Sequence, residues 1–282
     1  MSSLRLTTLC ENTAGMIGFT GEWGLSILIE YGDDTVLLDT GLTDSLMRNT
    51  LAGGFNLSKV NKIVLSHGHT DHTGGLRLLL QMLRKRVEIY AHPDIWEKKY
   101  IRVNLPGGGS MHRFIGIPFC REELEALGAS FVLNKEPVWL TENIVTTGEV
   151  PLTTQFEGVD NNMFVKTDSG FVPDALADDQ GIIVKTEKGL VLLLGCAHRG
   201  LVNTMLHARN LTGIDDIYAV VGGTHLISAK NDQLNETVAA IKKFGVQKIG
   251  VSHCTGLAAA AVLAREFGDK FFFNNAGTVV EL

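Results

Sequence analysis

The amino-acid sequence predicts an α/β protein, an αββα sandwich in which two mixed sheets lie face to face and helices cover both outer surfaces. Apolar patterns typical of strands alternate with patterns typical of helices in both halves of the chain. The run Val191-Leu192-Leu193-Leu194 is typical of a strand that is buried on both faces. A chain of 282 residues, of which 45% are hydrophobic, is long enough for one large core. We therefore expect a single domain over residues 1–282.

The first half of the chain is predicted to be rich in strands. Alternating apolar residues predict a strand at 4–10 and a hairpin of strands at 25–31 and 35–38. The remaining pattern predicts helices at 43–51, 76–83 and 121–128, and strands at 61–66, 87–91, 130–133 and 143–147. Residues 92–118 are the least regular stretch, with consecutive glycines at 107–109, and suggest a substrate lid or a mobile surface excursion.

The second half is predicted to repeat strand and helix. Apolar runs predict strands at 164–166, 181–185, 190–194, 217–221 and 248–252. Helical spacing predicts helices at 201–209, 231–244 and 258–267, and a closing strand pair at 271–273 and 278–282. Polar residues that follow these strands are then expected at one edge of the sandwich, between its two halves.

Residues with metal-binding side chains are clustered directly after the strand predicted at 61–66. The cluster reads His67-Gly68-His69-Thr70-Asp71-His72 and leads into a helix. Alternate side chains of an extended loop share a face, so His67 and His69 can bind one metal ion together. Asp71 and His72 lie where the chain turns into the helix and could begin a second site.

This cluster after a strand resembles the signature of the metallo-β-lactamase superfamily, and Leu37-Leu38-Asp39-Thr40-Gly41 resembles the first motif of that family. Stretches at 178–181, 195–198, 222–226 and 253–256 resemble the subgroup named for a dihydropterin-ribofuranosyl-aminobenzene phosphate synthase of methanopterin biosynthesis. The resemblance implies the αββα fold and adds His198 and His253 as metal ligands. It implies that Asp39 supports the metal loop by hydrogen bonding without binding an ion itself.

The sequence departs from the family pattern at two positions. No histidine follows the strand predicted at 143–147, so Glu149 is either a substitute ligand or a turn carboxylate. Cys196 stands where relatives commonly have an aspartate that bridges two ions, and it is either a thiolate ligand or a buried packing residue. His225 follows another strand and could be a ligand, a proton donor or a helix-entry residue. We expect a catalytic role near the ions for His225, together with Asp71.

These residues predict two divalent transition-metal ions and a metal-dependent hydrolase or group-transfer enzyme. The resemblance implies that the substrate is a phosphorylated or pterin-like small molecule. Imidazole ligands favour zinc, whereas manganese or iron would suit a set that includes Glu149 and Asp71. A di-iron redox protein is one alternative. A module that binds metal without catalysis, as a sensor, is the other.

The chain's charge and remaining motifs limit its partners. Arg102, His112 and Arg113 surround the triple glycine and are expected to anchor an anionic substrate through its phosphate. Net charge is −6 with dispersed lysines and arginines, which disfavours nucleic-acid binding. The apolar runs are too short to suggest a membrane span, and the N-terminus lacks the layout of a signal peptide, so we expect a cytoplasmic protein. A homodimer is possible, and four scattered cysteines do not suggest disulfides.

Overall fold

The computed structural model describes residues 3–282. The strands in chain order are β1 (Leu4–Cys10), β2 (Ser26–Tyr31), β3 (Asp34–Leu38), β4 (Lys62–Val64), β5 (Val87–Ala91), β6 (Lys99–Asn104), β7 (Ser110–Phe114), β8 (Ala129–Leu133), β9 (Ile144–Thr146), β10 (Met163–Thr167), β11 (Gly170–Pro173), β12 (Gly181–Thr186), β13 (Gly189–Leu194), β14 (Ile217–Gly223), β15 (Lys248–Ser252), β16 (Phe271–Phe273) and β17 (Val279–Glu281). The helices are α1 (Ser45–Gly53), α2 (Thr70–Thr73), α3 (Leu76–Leu83), α4 (Arg121–Ala126), α5 (Leu201–Thr212), α6 (Asn231–Phe244) and α7 (Leu257–Phe267).

Two large mixed sheets form the centre of the fold. One has seven strands in the order β17-β1-β2-β3-β4-β5-β8, and the other has six in the order β16-β15-β14-β13-β12-β9. Apolar clusters lie between the sheets and beneath the helices on each outer side, which confirms the αββα prediction. None of the helices in residues 3–282 combines the length and the apolar character that a membrane span requires.

The alternation of side chains along β13 shows how the layers are built. Val191 and Leu193 point into the cluster between the sheets. Leu192 and Leu194 point to the opposite face and pack with residues of α5, α6 and α7. Because successive side chains of a strand face opposite ways, an uninterrupted apolar run is needed wherever both faces are covered. The prediction of a doubly buried strand at this position is confirmed.

Residues 92–118 are more regular than expected, and the expectation of an irregular segment was wrong. β6 and β7 form an antiparallel hairpin in which Tyr100 pairs with Phe114. The three glycines at its tip all have positive φ, at 95°, 102° and 82°, so they form a turn that few other residues could adopt. The hairpin continues through β10 and β11 into a third sheet, in the order β11-β10-β6-β7.

The two strands at the C-terminus are not partners of each other, so the predicted closing pair was also wrong. β16 runs parallel to β15 in the six-stranded sheet. β17 pairs instead with β1 in the seven-stranded sheet, where Val280 lies opposite Leu6. The short connection between β16 and β17 therefore joins the two halves of the sandwich.

Parallel pairing determines where the functional loops meet. β3 and β4 run parallel in one sheet, and β13, β14 and β15 run parallel in the other. The C-terminal ends of parallel strands lie at the same edge of a sheet, where α/β proteins place binding residues. The residues that follow these five strands form the candidate site.

Candidate metal centre

The first group of candidate ligands consists of three buried histidines. His67 and His69 lie in the loop after β4, and His198 follows β13. The Nε2 atom of His67 is 2.9 Å from Nδ1 of His69 and 3.2 Å from Nε2 of His198. Nitrogen lone pairs that converge in this way are satisfied together by one cation, because neutral imidazole is a common metal ligand. The geometry therefore fits an ion at this position.

The second group joins the beginning of α2 to the end of β15. Nε2 of His253 lies 3.2 Å from Nε2 of His72 and 3.3 Å from Oδ2 of Asp71. The two histidines belong to opposite sheets, so folding of both halves is needed to form the group. One carboxylate oxygen and two imidazole nitrogens are a suitable ligand set for a divalent transition-metal ion.

Cys196 lies between the two groups. Its Sγ is 3.2 Å from Nε2 of His72. The same sulfur lies within 4.8 Å of the ligand nitrogens of His67 and His198. Burial raises the pKa of the Cys196 thiol, so without a cation the sulfur would carry its proton at neutral pH. A thiolate at this position can be shared by ions bound in the two groups.

Replacing Cys196 tests whether its sulfur binds metal. We expect Cys196→Ser to weaken metal binding by at least about tenfold, which is the smallest loss typical even of residues that only support a ligand. Cys196→Asp is expected to retain metal, because a carboxylate replaces the charged bridge. Metal titration of the stripped protein measures both effects. Cys10→Ser is the matched control, since Cys10 is also a buried free thiol. Equal affinity in all variants would identify Cys196 as a packing residue.

A buried carboxylate fixes the metal loop from behind. Asp39 accepts hydrogen bonds from the amide and the hydroxyl of Ser66, both at 2.7 Å. The same carboxylate lies 2.7 Å from Nδ1 of His72, and the Ser66 hydroxyl lies 2.9 Å from Nδ1 of His67. These contacts orient the Nε2 atoms of both rings towards the ligand groups.

His253 is held by two residues that the sequence analysis did not identify. Oδ1 of Asn12 lies 2.9 Å from Nδ1 of His253, and Oε1 of Glu11 accepts a hydrogen bond from the His253 amide at 2.7 Å. Both contacts join the loop after β1 to the end of β15, more than 240 residues away in sequence. No local sequence pattern could have indicated them.

A buried lysine supports the metal loop from the third sheet. Nζ of Lys99 donates to Asp174 and to Asp178, each at 2.9 Å. Asp178 also accepts the amide of Gly68, between the first two histidines, at 2.8 Å. Burial opposes the charge on Lys99, but the two carboxylates outweigh it and raise the pKa of Lys99. These contacts give a structural role to Asp178, the first residue of the Asp-Asp-Gln-Gly stretch at 178–181.

The next two residues of that stretch form hydrogen bonds with the segments that follow β4 and β13. Oδ2 of Asp179 accepts the amide of Arg199 at 2.9 Å, directly after His198. The side chain of Gln180 donates to the carbonyl of Leu65 at 3.0 Å. The stretch therefore fastens the loops that carry His67 and His198 without supplying a residue to either ligand group.

His225 lies beside the first group. Its ring centroid is 4.0 Å from that of His198, and its Nε2 lies 3.0 Å from Oδ2 of Asp160. A ring nitrogen of His225 also lies within 4.8 Å of the sulfurs of Cys196 and Cys254. Burial opposes the charged ring, but Asp160 and Cys254 outweigh it and raise the pKa of His225 to about 10.

The two ligand groups differ in their electrostatics. Burial lowers the pKa of His67 and His198 well below the usual range, and that of His69 to about 3. These rings are neutral and have a lone pair available for a metal. Burial also opposes protonation of His72, but Asp39 and Asp71 reverse the effect and raise its pKa to about 9. A metal in the second group must displace that proton.

Four residues after strand ends in this region have left-handed backbone conformations although they carry side chains. They are Asp39 (φ 57°), Ala197 (φ 54°), His225 (φ 48°) and His253 (φ 52°). Such conformations are unfavourable for residues other than glycine and are found mainly where surrounding contacts enforce them.

The structure places four other expected site residues outside the ligand groups. Glu149 is 40% exposed and lies 2.9 Å from Nε2 of His92, so the idea that it replaces a missing histidine ligand was wrong. The ring of His112 stacks on Phe171 at 3.9 Å, and the Arg102 guanidinium lies 5.2 Å from the Phe164 ring centre. Arg113 is exposed on the opposite face of the same hairpin. The expected joint site of all three residues is therefore not formed.

The sequence matches the metallo-beta-lactamase superfamily over residues 23–197. The chain belongs to this superfamily, most of whose members are metal-dependent hydrolases. The His and Cys groups described above provide this chain with side chains that could hold a divalent metal.

Among individual relatives, the chain is 33% identical to the 7,8-dihydropterin-6-methyl-4-(beta-D-ribofuranosyl)-aminobenzene-5'-phosphate synthase of Methanocaldococcus jannaschii, over 100% of this chain and 97% of the relative. This similarity confirms the subgroup resemblance. The crystal structure of Tm1679, a metal-dependent hydrolase of the beta-lactamase superfamily, is 28% identical and superimposes with a TM-score of 0.84 over 99% of both chains. YhfI of Bacillus subtilis shares the fold at 14% identity, with a TM-score of 0.60 over 100% of both chains.

Proposed function

We propose that this protein is a hydrolase or group-transfer enzyme that uses two divalent metal ions on a phosphorylated, pterin-like small molecule. The observation that carries the proposal is the pair of adjacent buried ligand groups that share Cys196. The name of the Methanocaldococcus jannaschii relative supports a pterin-like substrate with a phosphate. The five imidazoles favour zinc, and the oxygen of Asp71 is also compatible with manganese or iron.

Ions bound in the two groups would supply Lewis acidity and an activated water or polarised substrate oxygen. The side chains around the ions would have separate roles in the reaction. Asp71 places a carboxylate 3.3 Å from Nε2 of His253, within the second group. His225 is held by Asp160 against His198 and can donate a proton to a group leaving from the first position.

A comparison of His225→Gln with His207→Gln tests this division of roles. His207 lies on α5, and its Nε2 is 2.8 Å from the carbonyl of Thr147, outside the ligand groups. A proton donor used only in the transition state affects kcat, so His225→Gln should lower kcat with little change in KM.

Metal-loaded protein is first screened with phosphodiesters, lactones and pterin phosphates to find the substrate. Failure of every class to turn over would contradict the enzymatic proposal.

A phosphate anchor is proposed at Arg113. Strand alternation places Arg113 and Ile115 on one face of the hairpin, about 7 Å apart along the strand. The carbonyl of Ile115 accepts the amide of Thr70 in the metal loop at 2.7 Å. Arg113 pairs with Ile101, which shares its face of β6 with Lys99. Lys99 is connected through Asp178 to the amide of Gly68 in the metal loop. Arg113 therefore lies on the face of the hairpin that is turned to the metal loop, whereas Arg102 lies on the other face. A guanidinium binds phosphate through paired hydrogen bonds.

Arg113→Ala is expected to raise KM for a phosphorylated substrate by at least about tenfold, the effect of losing one charge-assisted hydrogen bond of about 1.5–3 kcal/mol. Steady-state kinetics with phosphorylated and dephosphorylated forms of the substrate measure it, and the second form should be indifferent to the change. Arg102→Ala is the matched control on the opposite face. Equal losses with both forms, or in both variants, would exclude a phosphate anchor at Arg113.

A further inference from the structure

A large apolar cavity opens beside the second ligand group. Its volume is about 730 Å³, within the range of about 300–1,000 Å³ typical of small-molecule sites. Its wall includes Trp23, Ile227, Leu257 and Phe273, whose exposed fractions are 51%, 53%, 83% and 50%. Large apolar side chains that remain exposed around one concavity indicate a binding surface, because water contact is unfavourable for each of them.

The cavity shares a wall residue, His253, with the candidate metal centre. His253, whose Nε2 faces Asp71 and His72, forms part of its wall. The ring of Trp23 lies 5.2 Å from the ring of His253. A flat molecule in the cavity can therefore contact His253 of the second group, with the indole of Trp23 available for stacking.

The side chains of the wall offer a phosphate no cationic partner. None of the described residues that line the cavity is a lysine or an arginine. The one carboxylate, Glu11, is buried and already accepts the amides of His253 and Thr13, both at 2.7 Å. A phosphate would lose its hydration here without gaining a cationic partner. An uncharged ring incurs no such cost.

Hydrogen-bond donors are nevertheless available at one end of the cavity. α7 begins there at Leu257, and the first amide to donate inside the helix is that of Ala260, which bonds the carbonyl of Gly256 at 3.0 Å. The amides of residues 257–259 have no carbonyl partner within the helix. These donors match the ring nitrogen and carbonyl acceptors of a heteroaromatic compound.

We infer that this cavity binds an uncharged, flat heteroaromatic ring system of the substrate, stacked on Trp23 with its acceptor edge at the start of α7. The inference rests on the proposed function only in treating the ring as part of the substrate. The phosphate of such a substrate lies outside the cavity. Ring and phosphate are then recognised by different parts of the chain.

Binding of 6-methylpterin, which has no phosphate, tests the cavity without requiring turnover. Quenching of pterin or tryptophan fluorescence gives its Kd on the full-length, metal-loaded protein. Trp23→Ala should raise the Kd about tenfold through loss of stacking, while Trp139→Ala, an equally exposed indole elsewhere, should not. Ala258→Phe should block binding by filling the cavity, whereas Ala261→Phe, also exposed on α7 but outside the cavity wall, should leave it unchanged.

Two results would overturn the inference. One is an unchanged Kd in both Trp23→Ala and Ala258→Phe, which would place the ring elsewhere or leave the cavity for a protein partner. The other is competition between inorganic phosphate and 6-methylpterin for the same site. Neither result would contradict the proposal that the protein is an enzyme acting on a phosphorylated substrate. Conversely, pterin binding that responds to the variants without any turnover would support the cavity and contradict only the proposed enzymatic function.

Discussion

Lys99→Met is expected to lower the free energy of unfolding by about 3–5 kcal/mol, because it leaves two buried carboxylates without their cation. Lys99 is fully buried and bonds Asp174 and Asp178, and methionine has a similar volume but no charge. Denaturant unfolding of metal-loaded protein measures the change. Asp178 would also become free to move away from the Gly68 amide, so the variant should bind metal more weakly.

The neighbouring residue provides the control for this prediction. Lys98 is exposed on the same segment, so Lys98→Met should change stability by no more than about 0.5 kcal/mol, as is usual for surface sites. If Lys99→Met were equally mild, the ion cluster would not contribute to the fold and the metal loop would be held by its other contacts alone.

Removal of bound metal is expected to lower the melting temperature substantially. With free metal about 1,000-fold above its Kd, each ion that binds only the folded chain stabilises it by about 4 kcal/mol. With an unfolding entropy of about 2.1 cal/mol/K per residue, that corresponds to about 7 °C per ion for a chain of 282 residues. Calorimetry before and after chelation, combined with elemental analysis, measures the shift. An identical melting temperature with and without metal would contradict binding at the buried groups.

Single-residue variants separate the contributions of the two ligand groups to the melting temperature. His69→Ala removes a ligand of the first group, and His253→Ala removes a ligand of the second. Each variant should therefore bind one ion fewer, and its melting temperature should fall on chelation by about half as much as that of the wild type. His207→Ala should behave as the wild type, because His207 contacts a backbone carbonyl away from both groups. Full metal content in both ligand variants would exclude the assignment.

The order of strands and helices could be predicted largely because it depends on local apolar periodicity. α6 and β15 have the predicted bounds, and the cluster from His67 to His72 was recognisable because its members are close in sequence and follow a strand. The hairpin of β6 and β7 was missed because its glycines were interpreted as a long loop. They form a turn instead, and the flanking aromatic pairs stabilise the strands on either side.

The supporting contacts of the site could not be predicted for a different reason. Lys99 reaches carboxylates 75 and 79 residues away, and Asn12 reaches a histidine 241 residues away. Such pairs depend on which strands become neighbours in the final sheets. Periodicity within a segment contains no information about that choice. The separation of Arg113 from Arg102 and His112 was missed because it requires the strand assignment first.

The left-handed backbone at Asp39, Ala197, His225 and His253 places stability and activity in opposition at this edge of the fold. Each such residue costs of order 1–3 kcal/mol relative to a relaxed conformation. At Asp39, His225 and His253 the side chain contributes to the site, so the strain cannot be relieved without changing what the site does. Ala197 contributes only a methyl group. Directed evolution for thermal tolerance alone should therefore favour glycine first at position 197, and should reach the other three positions only where selection for function has been removed.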